Sequence, residues 1–356
     1  MRITVSEPGH ESMFRGSSLF QTPYWFRFRR NLGQEVVPLV AESRAGPFSC
    51  AVFICTGVPG FAYGYLPRVP DIPVAEEERG LFLEQLSAAI APHVPPEIVC
   101  LRYDTVWSSP FTDSSHYTNG QWKGAPRAVF RELRMNSGTR ERTLRKSELD
   151  HISPDTVIID LDKDDDVLLS RMRQTTRNCV RRAYRSGVSF RIMNPDELPA
   201  WYRLYEETAV RKKLSHEKLS YFETLLSLAR NETNSPDFRI YAAEKDGMLL
   251  AGAVTAFSGD NAYYLYAGSS LEQRKCMANY GLQWEIIRDA RSAGCRYYDL
   301  LGVPPNNDPN HSMYGLYTFK TGLGGRVVHY SGCWDYPLDE KRYQQFRNAE
   351  AFAGIR

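Results

Sequence analysis

No run of about 18 consecutive apolar residues occurs in this chain of 356 residues, so no membrane-spanning helix is expected. Near the N-terminus, Glu7, His10 and Glu11 interrupt the apolar core that a secretory signal would need. The seven cysteines, Cys50, Cys55, Cys100, Cys179, Cys276, Cys295 and Cys333, are odd in number and scattered, with no Cys-x-x-Cys pair. That pattern excludes a disulfide framework and a zinc ribbon, and it points to buried free thiols in a reducing cytoplasm. The seven histidines, among them His10, His151, His216 and His311, include no His-Glu-x-x-His spacing, so no metal site is expected. An excess of one charge is missing too: 44 Lys and Arg face 42 Asp and Glu. A net charge of +2 gives no global field for a polyanion, so any anion binding must come from local clusters. The expectation is a cytoplasmic protein that could touch the inner face of a membrane without crossing it.

What is present is ordinary globular material, 42% hydrophobic and 24% charged, in a length that suits two domains. The first region reads as mixed α/β. Pro23 opens a short aromatic helix within residues 18–30, and strands follow at 36–41 and 50–55. A Gly/Pro-rich loop spans 57–73, an amphipathic helix 75–90 and a strand 97–102, with Asp104 just beyond. Residues 108–124 are a polar loop and 131–150 a charged connector or surface helix.

Then the pattern restarts. A strand at 156–160 leads to one helix over 164–186, ended by Gly187, and a strand at 188–192. Helices follow at 198–213 and 219–230, and a three-strand meander at 238–244, 248–257 and 262–267. A helix at 280–293 and a strand at 297–301 complete it. This order resembles an acetyltransferase-type (GNAT) domain, and the first region resembles a degraded copy. The expected fold is therefore α/β, two tandem GNAT-like domains with mixed central sheets. Residues 1–150 plus 326–356 would form one, and 151–325 the other.

The second region also resembles the Fem family of aminoacyl-tRNA-dependent transferases. The most specific stretch runs from Trp284-Glu285 through Tyr298-Asp299-Leu300 and Gly302 to Gly315-Leu316-Tyr317-Thr318-Phe319-Lys320 and Gly325. Thr176-Arg177-Asn178, Thr208 with Arg211, Tyr221-Phe222 and Tyr264-Leu265-Tyr266 extend the similarity. In the first region Gln21 to Trp25, Tyr65-Leu66-Pro67-Arg68 and Leu101-Arg102-Tyr103-Asp104 are similar more loosely. The resemblance implies transfer of an amino acid from aminoacyl-tRNA to the stem-peptide amine of a peptidoglycan precursor, UDP-muropeptide or lipid II. It implies no cofactor beyond the tRNA co-substrate, and a chain acting as a monomer.

Several residues carry chemistry suited to that reaction. An amine attacking an ester builds an oxyanion, which a fixed cation stabilises by roughly 3 kcal/mol. The resemblance puts Lys320, after Phe319, in that role; read plainly, Lys320 is a surface lysine on a strand. Asp104, at a strand end, is the candidate proton acceptor, with an ordinary turn former as the plain reading. By resemblance Arg29, Arg211, Tyr264 and Tyr266 bind the precursor, where arginines can hold a diphosphate and tyrosines can stack or donate. Residues 171–185 contain six arginines and no acid. Arg173, Arg177, Arg181 and Arg185 recur every fourth position, which puts them on one stripe, either a plain basic surface or a contact for tRNA phosphates.

The alternative is an acyl-CoA-dependent N-acetyltransferase on the same fold. Such a site needs a glycine-rich loop whose N–H groups approach a pyrophosphate. Here the loop reads Gln273-Arg274-Lys275-Cys276-Met277-Ala278-Asn279, without glycine.

Overall fold

The structure is a computed structural model that describes residues 3–9, 13–14, 18–118, 120–230 and 235–354. His10 and Glu11 fall outside them. The chain divides into two compact units, Met1–Pro154 with His329–Arg356, and Asp155–Val328.

The first unit is built on a seven-stranded sheet. Its chain order is β1 (Thr4–Ser6), α1 (Pro23–Asn31), β2 (Val36–Ser43), β3 (Gly46–Cys55), β4 (Ala62–Pro67), α2 (Arg79–Ile90) and β5 (Ile98–Asp104). A small ribbon of β6 (Tyr117–Thr118) and β7 (Gln121–Trp122) precedes α3 (Ala128–Met135) and β8 (Arg145–Lys146). Thr22 starts α1 by accepting from the Trp25 N–H at 3.2 Å, with Pro23 in the first turn, where its missing N–H costs nothing. Leu39, Val52 and Leu66 from the sheet pack with Phe82, Leu86 and Ile90 of α2 in a core closed to water.

The second unit runs β9 (Asp155–Asp160), α4 (Asp165–Arg171), α5 (Gln174–Arg185), β10 (Ser189–Ile192), α6 (Leu198–Lys212), α7 (Leu219–Arg230), β11 (Asp237–Lys245), β12 (Met248–Ser258) and β13 (Asn261–Ser269). It continues through α8 (Ala278–Ser292), β14 (Tyr297–Gly302), α9 (Tyr314–Gly322) and β15 (Arg326–His329). The chain then returns to the first unit as β16 (Cys333–Pro337) and α10 (Glu340–Gly354).

The two sheets have strand orders β1-β2-β3-β4-β5-β16-β8 and β10-β11-β12-β13-β14-β9-β15. Each contains a parallel pair flanked by antiparallel neighbours, β4 with β5 and β13 with β14. The pairs differ in how far they hold. In the first unit β4 and β5 stay paired to Pro67 and Asp104, the ends of both strands. In the second, β13 and β14 pair only from Asn261–Tyr297 to Tyr263–Asp299, although β13 continues to Ser269 alongside β12. The second sheet therefore opens where those strands part, and an open parallel pair exposes main-chain groups that a ligand can reach.

Two local expectations need correction. The single helix expected over 164–186 is two, because Met172 is extended (ψ 150°) and the following Arg173 N–H turns away to bond the Gly322 carbonyl at 2.9 Å. The segment ending in Lys320, readable as a strand, is the helix α9. Among the described residues no helix is long and apolar enough to cross a membrane, and all seven cysteines are free thiols.

Candidate functional site

Lys320 sits in the last turn of α9 with 6% of its surface exposed. Its position depends on two glycines. A Cβ on Gly322 would lie 2.5 Å from Thr176 Oγ1 in α5, and Gly324 (φ +90°) lies against Arg171, where a Cβ would come within 2.9 Å of the backbone. Only glycine lets α9 and its exit turn press this closely on the α4–α5 junction. Arg173 adds a hydrogen bond from Nη2 to Thr321 Oγ1 at 2.9 Å.

The Lys320 Nζ donates to the carbonyls of Leu301 at 3.2 Å and Gly302 at 2.8 Å, both on β14 beyond the point where β13 departs. An ammonium has three donors, so one remains for a ligand. Burial pulls the Lys320 amine down to about 8, against an opposing effect of Asp299. The Tyr264 ring lies 5.8 Å from Nζ, within reach of a cation–π contact.

The two carbonyls are aimed by a strained backbone. Leu301 is left-handed (φ 56°), unusual for a branched side chain, and β14 slips register against β9 between Asp299 and Gly302. Asp299 Oδ1 accepts from the Leu301 N–H at 2.8 Å and from the Thr156 hydroxyl of β9. Asp299 thus braces the turn that presents the carbonyls to Lys320. Thr156 carried no signal in the sequence, and its part depends on the pairing of β9 with β14.

Tyr264 and Tyr266 are separated by one residue, yet they face opposite sides of the sheet. A bulge in β13 puts Val254 opposite Tyr266 and the next residue, Thr255, opposite Tyr264, so Leu265 is extra and the alternation resets. Tyr264 faces α8, where burial pushes its phenol up and Gln283 opposes that shift. Tyr266 joins Tyr205 and Phe222 of α6 and α7, its hydroxyl 2.8 Å from that of Tyr221. Arg211 of α6 donates to the Ser269 carbonyl at 2.7 Å and to Thr208 Oγ1 at 3.3 Å. Phe319 packs edge-on against Tyr280.

Arg177 bridges the α4–α5 break, its Nη1 donating to the Ser170 carbonyl at 2.8 Å and to that of Met172. Its guanidinium is engaged with the fold. Arg181 and Arg185 are exposed on α5, next to Arg182.

The remaining candidates belong to the first unit. Asp104 is fully buried and its Oδ2 accepts from the Tyr65 hydroxyl at 3.0 Å, while Arg68 approaches Oδ1 at 4.0 Å. Burial pushes the carboxyl up to about 6, with Arg68 and Tyr65 opposing, which suits a group that takes and returns a proton. Arg68 is itself left-handed (φ 56°), and its guanidinium covers the Tyr330 ring at 4.8 Å. Tyr65 and Arg68 belong to the resemblance, but the Tyr65 hydrogen bond to Asp104 and the approach of Arg68 to it need the β4–β5 pairing to be seen. Arg29, on α1, donates from Nε to Gln34 Oε1 at 2.7 Å. Among the described residues no group of three or more His, Cys, Asp or Glu is placed to hold a metal.

The loop before α8 keeps two left-handed residues without glycine, Gln273 (φ 45°) and Met277 (φ 58°). Two of its N–H groups turn inward, Cys276 bonding the Gln273 carbonyl at 2.8 Å and Met277 that of Arg274 at 3.1 Å, and the Tyr280 N–H of α8 bonds the Met277 carbonyl at 3.0 Å.

A family model described as the FemAB family matches residues 10–233 and 227–351. The chain is 26% identical over 258 residues to a lipid II:glycine glycyltransferase of Staphylococcus saprophyticus, covering 56% of this chain and 62% of that protein. It is 25% identical over 259 residues to a lipid II:glycine glycyltransferase of Staphylococcus aureus (strain USA300), covering 55% and 62%. The chain thus spans less than two thirds of the length of these relatives. Its fold is similar to the crystal structure of FemX, with a TM-score of 0.75 at 18% identity, covering 98% of this chain and all of the other.

Proposed function

Because the chain belongs to the FemAB family and folds as two α/β units, each on a seven-stranded mixed sheet, we propose that it is an aminoacyltransferase of cell-wall bridge formation. It would move an amino acid from aminoacyl-tRNA to the stem-peptide amine of a peptidoglycan precursor, either the UDP-linked muropeptide or lipid II. The relatives' names, lipid II:glycine glycyltransferase, favour glycine as the amino acid and the lipid-linked form as the acceptor.

The observation that carries the reading is Lys320. A buried ammonium, held by two main-chain carbonyls at the opening of a sheet, keeps one donor for the oxyanion that forms when an amine attacks an aminoacyl ester. It needs no reorganisation as charge develops. The arginines Arg181, Arg182 and Arg185 offer a positive strip on the same unit for the tRNA acceptor end.

Acyl-CoA as donor is disfavoured by the loop before α8. Two of its N–H groups, those of Cys276 and Met277, already bond within the loop, and the loop has no glycine to permit close backbone approach of a pyrophosphate. The test is reconstituted transfer with mixed charged tRNAs, a UDP-muropeptide, lipid II and, separately, acetyl-CoA, read by product mass. A product one amino-acid residue heavier, formed only with charged tRNA, is expected. An acetylated product alone would reject the proposal.

The pH profile of such a reaction carries a second signature. The Lys320 cation is present below about 8 and lost as pH rises through that value, so turnover should fall on the alkaline side. Asp299→Asn keeps an oxygen for the Leu301 N–H and the Thr156 hydroxyl but removes the charge that raises the Lys320 pKa. The alkaline limb should therefore move to lower pH. A limb that stays in place would dissociate Asp299 from Lys320.

A further inference from the structure

The helix α3 is turned inside out. None of its eight residues is buried, and Val129, Phe130 and Leu133 are 50%, 56% and 68% exposed. At 100° per residue these three share one arc of the helix. Looseness does not explain the exposure, because the helix is clamped from behind. Asn136, just past its end, exchanges hydrogen bonds with the Leu144 backbone at 2.8 and 3.1 Å. Glu132 accepts from the Lys146 N–H at 2.9 Å. Gly80 of α2 lies so close to the Met135 carbonyl that a Cβ there would come within 1.7 Å.

The surroundings of the apolar arc are basic. From Arg127 to Arg145 the sequence holds six arginines and two glutamates. Glu132 is taken by the Lys146 backbone, and Arg134 is paired with Glu76. Arg127, Arg140 and Arg142 are exposed with no ion pair among the described residues. Beside the helix a shallow groove of about 420 Å³ is lined by Val129, Leu133, Arg142 and Arg145, the last of them paired with Glu340. Aromatic and aliphatic side chains ringed by free arginines match the layering of a lipid interface, acyl chains below and phosphates above.

We propose that the α3 face is a membrane-docking surface that seats on the anionic headgroups of a phospholipid bilayer. Phe130 and Leu133 enter the interface, and Arg127, Arg140 and Arg142 meet the phosphates. One short helix gives a weak, reversible and salt-sensitive attachment, as a protein that must leave the membrane to collect its donor requires. The surface deepens the reading in which the acceptor is lipid-linked and rests on that reading for its purpose. Its binding is measured without donor or acceptor, so failure of one is told apart from failure of the other.

The experiment is flotation of the full chain with vesicles of equal phosphatidylglycerol and phosphatidylcholine, and with phosphatidylcholine alone. Partitioning should be at least about tenfold stronger on the anionic vesicles and should be lost in high salt. The double variant Phe130→Ser with Leu133→Ser, and separately Arg140→Gln with Arg142→Gln, should each reduce it severalfold while circular dichroism and Tm stay unchanged, since these side chains are exposed. Absence of wild-type flotation, or flotation indifferent to both variants, would overturn the proposal. So would loss of a dimer in the Phe130→Ser, Leu133→Ser variant, because a second copy of the chain would then be the occupant.

Discussion

Lys320→Met is expected to lower kcat about a hundredfold and to leave KM for the acceptor nearly unchanged. The amine is buried, two of its three donors are fixed on the Leu301 and Gly302 carbonyls, and the third is free to meet a developing negative charge. Losing one such donor costs about 3 kcal/mol of transition-state stabilisation, and each factor of ten in rate corresponds to about 1.36 kcal/mol. A donor that meets charge only in the transition state lowers kcat and leaves KM alone when it is lost. Methionine keeps the length of the stem in the pocket between α9 and β14, so the fold should survive, which a melting curve checks. Lys320→Arg should not rescue turnover, since a planar guanidinium cannot place its donors as a compact ammonium does. A folded Lys320→Met protein turning over at the wild-type rate would remove Lys320 from the chemistry.

The second large effect is on stability. Arg102, fully buried on β5, is gripped by two carboxylates. Its Nε and Nη2 donate to Asp335 at 2.7 and 2.8 Å, and its Nη1 and Nη2 donate to Glu350 at 2.6 and 2.9 Å. Burial acts to lower the guanidinium pKa, but Asp335 and Glu350 outweigh it and raise it. The Tyr343 hydroxyl completes the set by donating to Asp335 at 2.9 Å. Arg102→Leu would leave two buried carboxylates facing each other with no cation, a change that typically costs about 3–5 kcal/mol. Urea denaturation should show a transition at clearly lower concentration. Neutralising both acids as well, with Asp335→Asn and Glu350→Gln, should recover part of the loss. An unchanged midpoint in Arg102→Leu would mean that the network contributes nothing net.

Arg102 also illustrates what a sequence withholds. It stands two residues before Asp104, in a segment whose resemblance draws attention to the aspartate, yet its partners lie more than 230 residues away. Apolar periodicity located most strands and helices, since β-branched runs and amphipathic stretches are local. It did not locate the α4–α5 break, which is caused by one hydrogen bond from Arg173 to Gly322. The stripe of arginines was correctly spaced for one helix, but that break diverts Arg177 to the Ser170 and Met172 carbonyls. Tyr264 and Tyr266 are two residues apart in one strand, and only the bulge at Leu265 turns them to opposite faces. Lys320 was singled out through the resemblance and the glycines around it, while its burial and its two carbonyl partners had no trace in the sequence. In each case the missing information was a contact or pairing that only the folded chain makes.

The route of the chain sets an order on its own synthesis. Strand β16, which lies between β5 and β8, is made of residues 333–337, and the carboxylates that neutralise Arg102 arrive with it and with α10. While the ribosome is still translating the middle of the message, β5 has a bare edge and a cation without partners. The stretch from Asp155 to Val328 is continuous and owes nothing to later residues for its sheet beyond the last residue of β15. The half that emerges first is therefore the half that is finished last. A nascent chain stalled before Cys333 should expose a template for strand pairing, the period when this protein most needs a chaperone.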